Sequence, residues 1–376
     1  MQGLWFGLIA VLWAGFFVLE GFDFGVGILL PIVARTDADR KVALRAIGPV
    51  WDGNEVWLLV AGGATFAAFP AWYASMFSGF YLAFALLLVG LILRGIGIEY
   101  RGKVATADGR RWCDVAITIG SLLPALLLGV AFANLIRGVR MDAAQNMTSS
   151  FFSLLSPYAL LGGVVTLTLF VFHGAVYLTL RTTGDVHDQA RSLLPVLTPV
   201  TGVAAVVFLA WTSQVRGGAV SWALAVVIAV AFVVASIAAL SNREGVAFGV
   251  SAVATLLVPV WVFACLWPDV LPARNNAAWS LTVHNASSSP YTLKVMTVVA
   301  VVMTPIVLAY QAWTYWVFRA RVTGADIAGG GYGGYVVASA RKSATEMLGG
   351  PAARAATTQP PPIEGVGAQE PTTTPL

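Results

Sequence analysis

The chain has 376 residues, 58% of them apolar and only 11% charged, with a mean hydropathy of +0.79, where an ordinary globular protein carries roughly 25% charged residues. Its 22 basic and 18 acidic side chains, with a net charge of +4, are too few to cover a soluble surface of this size. The solvent for most of the chain is therefore lipid, which excludes a disordered chain, a disulfide scaffold and a nucleic-acid binder; the two cysteines, Cys113 and Cys265, stand far apart in or beside apolar runs.

A bilayer core of about 30 Å needs about 20 apolar residues per helix. In chain order, runs of that kind lie near 4–33, 54–72, 75–98, 112–136, 157–181, 193–215, 219–240, 246–268 and 291–319, nine in all. The first lacks a basic leader and a small-residue cleavage site, so it reads as a retained helix whose end is marked by Pro31. Pro124, Pro195, Pro199, Pro259 and Pro305 fall inside apolar runs and predict kinks or irregular turns. The fold expected is an all-α polytopic membrane protein.

Orientation follows from Lys and Arg in the connections. With the N-terminus outside, the inner connections and the tail hold sixteen basic residues, beginning with Arg35, Arg40, Lys41 and Arg45, and the outer ones four, Arg137, Arg140, Arg216 and Arg274. The expectation is N-terminus out, C-terminus in the cytoplasm. From about Thr323 the composition turns to Gly, Pro, Thr and Ala, which predicts a disordered tail. Its GGGYGG at 329–334 satisfies a dinucleotide pattern only formally, because it follows a membrane helix rather than a strand.

Ionisable groups inside a span are the sharpest signal, since each costs several kcal/mol unless paired, solvated or neutralised. The first span carries Glu20 and Asp23, spaced to share one helix face. They read either as hydrogen-bonded acids stabilising helix packing or as a proton-handling site. Trp51-Asp52-Gly53-Asn54-Glu55-Val56-Trp57 opens the second span. Asp52 and Glu55 there form either a capping-box-like start or the mouth of a proton path. Arg94, near the inner end of the third span, snorkels to the interface or pairs with a buried acid or a cofactor carboxylate. Glu99, Tyr100 and Arg101 read as a solvated helix end.

The three histidines carry a negative result. His187 reads as loop and His284 as pre-span, and only His173 lies inside a span, so the chain cannot ligate a series of haem or metal centres. His173 itself reads as a buried, hydrogen-bonded side chain. A short internal echo aligns Phe17-Val18-Leu19-Glu20-Gly21 with Phe170-Val171-Phe172-His173-Gly174. It suggests two four-helix bundles plus one extra helix, with a first half at 1–154, a second at 155–268, a connection and ninth helix at 269–320, and the tail at 321–376.

GFDFGVG at 21–27, GPVWDGNEVWLLVAGGATFAAFP at 48–70, FSGFYLA at 77–83, GVAFANL at 129–135 and SLTVHNASSSPYTLKVMTVVAVVMTPIVLAYQAWTYW at 280–316 together resemble subunit II of the cytochrome bd family of quinol oxidases, over nearly all of 1–320. The resemblance implies a bacterial plasma-membrane complex with a haem-bearing subunit I, small accessory subunits as further candidates, quinol and O₂ as substrates, and water as product. It places haem b and haem d in the partner and no catalytic residue or metal ligand in this chain. It implies a proton path through Glu20, with Asp52 nearer the entry; Asp23 and Glu55, singled out by their own positions, are the further proton-transfer candidates. Trp51, Asn54, Trp57 and Arg94 are the structural or partner-interface candidates. A structural quinone is also implied, and the Arg-rich composition suggests menaquinone. The rival reading from the residues alone is a proton-coupled secondary transporter.

Overall fold

The computed structural model describes residues 1–324, and the GGGYGG stretch and nearly all of the 321–376 tail lie outside them. Eleven α-helices follow in order among the described residues: α1 (Gln2–Val33), α2 (Asp37–Ile47), α3 (Trp51–Ala68), α4 (Pro70–Gly79), α5 (Tyr81–Arg101), α6 (Ala107–Arg137), α7 (Pro157–Arg181), α8 (Asp185–Arg216), α9 (Ala219–Leu240), α10 (Glu244–Leu266) and α11 (Pro290–Val317). Eight of them, α1 and α5 to α11 in order, are long and apolar enough to cross a membrane. The chain is an all-α polytopic membrane protein, and its only sheet among the described residues pairs β1 (Asp269–Leu271) with β2 (Leu281–Thr282) in the connection before α11.

The remaining apolar run, the second in sequence, is α3. It is 18 residues long and opens with Asp52, Asn54 and Glu55 in its first turns. It ends at Phe69 because Pro70 starts α4, where a missing N–H is harmless at the first helical position. A second break at Phe80 separates α4 from α5, so 75–79 belong to α4 and the third span begins at Tyr81 rather than near 75. Segment 34–50 is also more than a connection. α2 starts on a capping box in which the Thr36 side chain accepts from Asp39 N and Asp39 accepts from Thr36 N. Pro31 does not end α1, which continues to Val33.

α1 is the central post. α3, α6, α7 and α10 all pack on it, and residues 20–27 are buried without interruption, so this stretch meets protein on every side. The closest approach is to α7. A Cβ at Gly25 would overlap the Phe170 carbonyl, and one at Gly174 would lie 2.6 Å from Gly25 Cα, so the two backbones touch there. α5 pairs with α6, α7 with α6 and α8, and α9 with α10. α11 differs from the rest: only Leu293 and Val317 of its 28 residues are buried, and Val298, Val301, Ile306 and Trp313 face outward.

A buried carboxyl and guanidinium cluster

Glu20 and Asp23 are wholly buried, and so is Arg94 at 1% exposure. α5 packs closely on α6 at this level, where a Cβ on Gly120 would lie 2.6 Å from Arg94 N, and the Arg94 side chain reaches across to α1. The Arg94 Nη1 ion-pairs with Glu20 Oε1, and its Nη2 lies 3.4 Å from Glu55 Oε2 on α3. The guanidinium also lies over the Phe24 ring at 4.7 Å and the Trp51 ring at 5.7 Å, so its faces are covered by aromatic carbon. Arg94 is thus an internal ion-pair partner and does not snorkel, because its helix faces two acids instead of the interface.

Asp23 belongs to a second, linked set. Asn54 Nδ2 donates to Asp23 Oδ2 at 2.7 Å and to the Leu19 carbonyl at 3.1 Å. Asn54 Oδ1 accepts from Gln311 Nε2 and from Tyr315 OH, both at 2.9 Å. α11 therefore reaches the acids of α1 through one amide on α3. Glu20 Oε2 and Asp23 Oδ1 have no hydrogen-bond partner. Buried polar atoms left open in this way mark a site that exchanges protons or water, or one that stores strain.

The positions singled out from sequence divide clearly. Glu20, Asp23, Asn54, Glu55 and Arg94 converge on one cluster, with Trp51 as its wall. Asp52 is exposed one helical turn before Glu55, and the Glu55 side chain is 25% exposed, so the acids run from surface to interior. The capping reading of Asp52 and Glu55 fails: α3 has Val50 at its N-cap with no side-chain cap, and Glu55 turns to Arg94. Trp57 packs its indole on Gly15 of α1, within this chain.

Gln311 and Tyr315 escaped the sequence reading because neither is charged. Their spacing of four, which puts both on one face of an otherwise apolar helix, was the available signal. Arg101 is also more than a solvated end. It is 3% exposed, with Nε 2.5 Å from Asp114 Oδ1 on α6 and Nη2 2.9 Å from Asp37 Oδ1 on α2, and Arg40 joins Asp114 at 2.8 Å. Glu99 and Tyr100 remain exposed.

Each of the three histidines has a contact within the chain. His173 Nδ1 is 2.8 Å from Ser251 Oγ, its Nε2 3.3 Å from the Val18 carbonyl, and its ring stacks on Phe248, so both nitrogens are engaged. His187, in the first turn of α8 rather than a loop, contacts Asp188 and Glu244, and His284 contacts Gln2. Among the described residues no group of His, Cys, Asp and Glu is arranged to hold a metal. A separate apolar cavity of about 370 Å³ lies between α6 and α10, lined by Phe132, Thr198, Thr201, Phe208, Ser236 and Trp261 among others. The hydroxyls of Thr198 and Ser236 are buried there without partners.

Comparison with known proteins gives one answer. A family profile described as cytochrome bd terminal oxidase subunit II matches residues 1–318. The chain is 41% identical over 332 residues to cytochrome bd ubiquinol oxidase subunit 2 of Bacillus subtilis, covering 86% of this chain and 97% of that one. It is 36% identical over 365 residues to cytochrome bd-I ubiquinol oxidase subunit 2 of Escherichia coli K12, covering 87% and 96%. Among solved structures, the bd oxidase from Geobacillus thermodenitrificans matches with a TM-score of 0.65 at 18% identity, over 84% of this chain and 97% of that one, a likeness of fold.

Proposed function

Because this chain belongs to the cytochrome bd terminal oxidase subunit II family, we propose that it works as the subunit without haem, supporting a haem-bearing subunit I and supplying protons for the reduction of O₂ to water. It is a multi-pass protein of a bacterial membrane and part of a respiratory oxidoreductase complex that contains haem. The engaged nitrogens of His173 speak for haem b and haem d lying in the partner, and no step here runs through them.

The observation that carries the proton reading is the Arg94 ion pair with Glu20, with Glu55 at its margin. Three carboxyls (Glu20, Asp23 and Glu55) gather near one guanidinium that pairs with two of them, Glu20 and Glu55, so neutrality in a buried setting requires protons as the remaining counter-charge. Asp52 offers the exposed starting point and Glu55 the partly exposed intermediate. Arg94 holds Glu20 in place, and Asn54 fixes Asp23. The N-out orientation puts Asp52 at the cytoplasmic side, together with the Arg40, Arg101, Asp37 and Asp114 network.

The repeat reading divides the membrane region into a half at 1–154 and a half at 155–268, joined by the α1–α7 contact, with 269–320 adding α11. The outward apolar face of α11 suits subunit I or lipid. The cavity between α6 and α10 fits a structural quinone: its walls suit an isoprenoid chain, and Thr198 and Ser236 offer hydroxyls to ring oxygens. Menaquinone remains the expectation from the Arg-rich composition. Nothing observed favours a free-standing transporter.

Glu20→Gln tests the reading. The complex should assemble with its haem content intact or mildly disturbed and reduce O₂ about a hundredfold more slowly, the lower end of the range of about 10²–10⁴ that positioned proton transfer contributes. Unchanged turnover removes Glu20 from the path. Extraction of the purified complex should release about one quinone per subunit, and its absence removes the quinone.

A further inference from the structure

A second cavity of about 370 Å³ lies where α7 and α11 end, lined by the end of α2, the start of α10 and residues 318–321. Its floor is apolar, with Pro49, Val50, Leu180, Phe248 and Phe318, and its charged lining is Arg181, Arg319 and Arg321, with no carboxylate among the described lining residues. Arg181, in the last turn of α7, is 7% exposed. Its Nη2 donates to the Phe318 carbonyl, and its Nη1 is buried with no hydrogen-bond partner. The strand-like contact of Val322 N with the Arg181 carbonyl at 2.7 Å straps the segment after α11 to α7 and keeps the fork in position.

A buried guanidinium with an open N–H is costly unless something accepts from it. The tyrosines of the cavity do not: Tyr177 OH donates to the Ala46 carbonyl and Tyr315 OH to Asn54. Arg321 is ion-paired with Glu244, which is also held by His187. Among the described residues that line this cavity, the one buried, geometrically fixed donor left open is Arg181, with Arg319 beside it at the exposed rim. A planar fork suits phosphate oxygens better than a point charge does. The apolar floor and the position at the ends of two membrane helices suit the headgroup region of a bilayer.

We propose that this cavity binds a phosphate-bearing anion on Arg181, supplied by an anionic phospholipid or by free phosphate. The shared chemistry is a phosphate oxygen accepting from Arg181 Nη1, with Arg319 at the exposed rim and the Arg321 charge already met by Glu244.

The test uses the purified oxidase complex, delipidated in detergent and titrated with phosphatidylglycerol, phosphatidylcholine or inorganic phosphate, with bound species counted by native mass spectrometry. Wild type should retain one phosphatidylglycerol that phosphatidylcholine does not replace. Arg181→Gln should bind it about tenfold more weakly, the loss of one charge-assisted hydrogen bond of about 1.5 kcal/mol. Binding of inorganic phosphate in its place, with the same loss in the variant, supports the site and identifies free anion as the source. Because Arg181 also holds Phe318, two further variants keep the test open: Arg181→Lys, which keeps the charge, should retain binding, and the exposed Arg319→Gln should weaken it less than Arg181→Gln. Equal phosphatidylglycerol binding in wild type, Arg181→Gln and Arg319→Gln, or no phosphate species bound by wild type, overturns the proposal.

Discussion

Asn54 and Asp23 are joined by a 2.7 Å hydrogen bond whose direction is fixed. The Asn54 oxygen already accepts from Gln311 and Tyr315, so the amide nitrogen must face Asp23, and Oδ2 of that carboxyl is an acceptor. A proton on Asp23 therefore sits on Oδ1, the oxygen without a partner. Asn54→Leu would orphan Asp23, Gln311 and Tyr315 together. Each buried polar group left unsatisfied costs about 1–3 kcal/mol, so the variant complex should melt well below wild type and lose α11 first. Thermal unfolding with limited proteolysis around 290–317 reads this, and wild-type stability would show that the amide bridge contributes nothing.

Arg94 and Glu20 differ in what their removal leaves behind. Glu20→Gln keeps the shape and leaves Arg94 with Glu55, Phe24 and Trp51. Arg94→Leu leaves Glu20 and Glu55 without their cation, the kind of break that costs about 3–5 kcal/mol in a buried pair. The expected order of assembled complex is wild type, then Glu20→Gln, then Arg94→Leu. The yield of co-purified haem, measured by absorption, checks it, and equal yields for the two variants would contradict the counter-charge role of Arg94.

At the α1–α7 contact, Gly25→Val must push the Phe170 backbone away. Overpacking of this kind costs about 1–3 kcal/mol, while Gly7→Val, at an open site on the same helix, should be neutral. A melting-temperature loss confined to the first variant is the expected outcome.

Asp37 gives a pH prediction outside the spans. Partial burial works against its charged form, but hydrogen bonds from Lys41 and Arg101 outweigh it and hold the carboxyl below its ordinary value of 3.8. A lowered folded pKa contributes stability that is complete above 3.8 and is lost as pH falls through the folded value. The docking of α2 should weaken only in that acid range, modestly because the side chain is largely solvated. Hydrogen exchange of α2 against pH, compared between wild type and Asp37→Asn, should show the acid slope in wild type alone.

How far the chain could be read beforehand follows from physical cause. Acids in an apolar run stand out because lipid penalises them, so Glu20 and Asp23 were legible from composition alone. Which group neutralises them was not, since Arg94 reaches Glu20 from 74 positions away and only helix packing brings them together. Arg101 looked interfacial because the fold-back of α2, which buries it, begins from a Thr36–Asp39 cap that hydropathy does not register. The break at Phe80 was hidden for a similar reason: the apolar run at 75–98 crosses it, whereas Pro70 marks the break at Phe69. Gln311 and Tyr315 were missed because neutral polar groups weigh little on a hydropathy scale, although they complete the network.

The glycine contact between α1 and α7 also limits how the cluster can move. Where Gly25 and Gly174 touch there is no side chain to change rotamer and no gap to close, so the two helices form a single stiff mast. On the proposed proton reading, the rearrangement that admits a proton to Asp23 arises on the opposite flank, where α3 and the thinly held α11 meet at Asn54. A displacement of α11 would be felt at that amide before it was felt on α1.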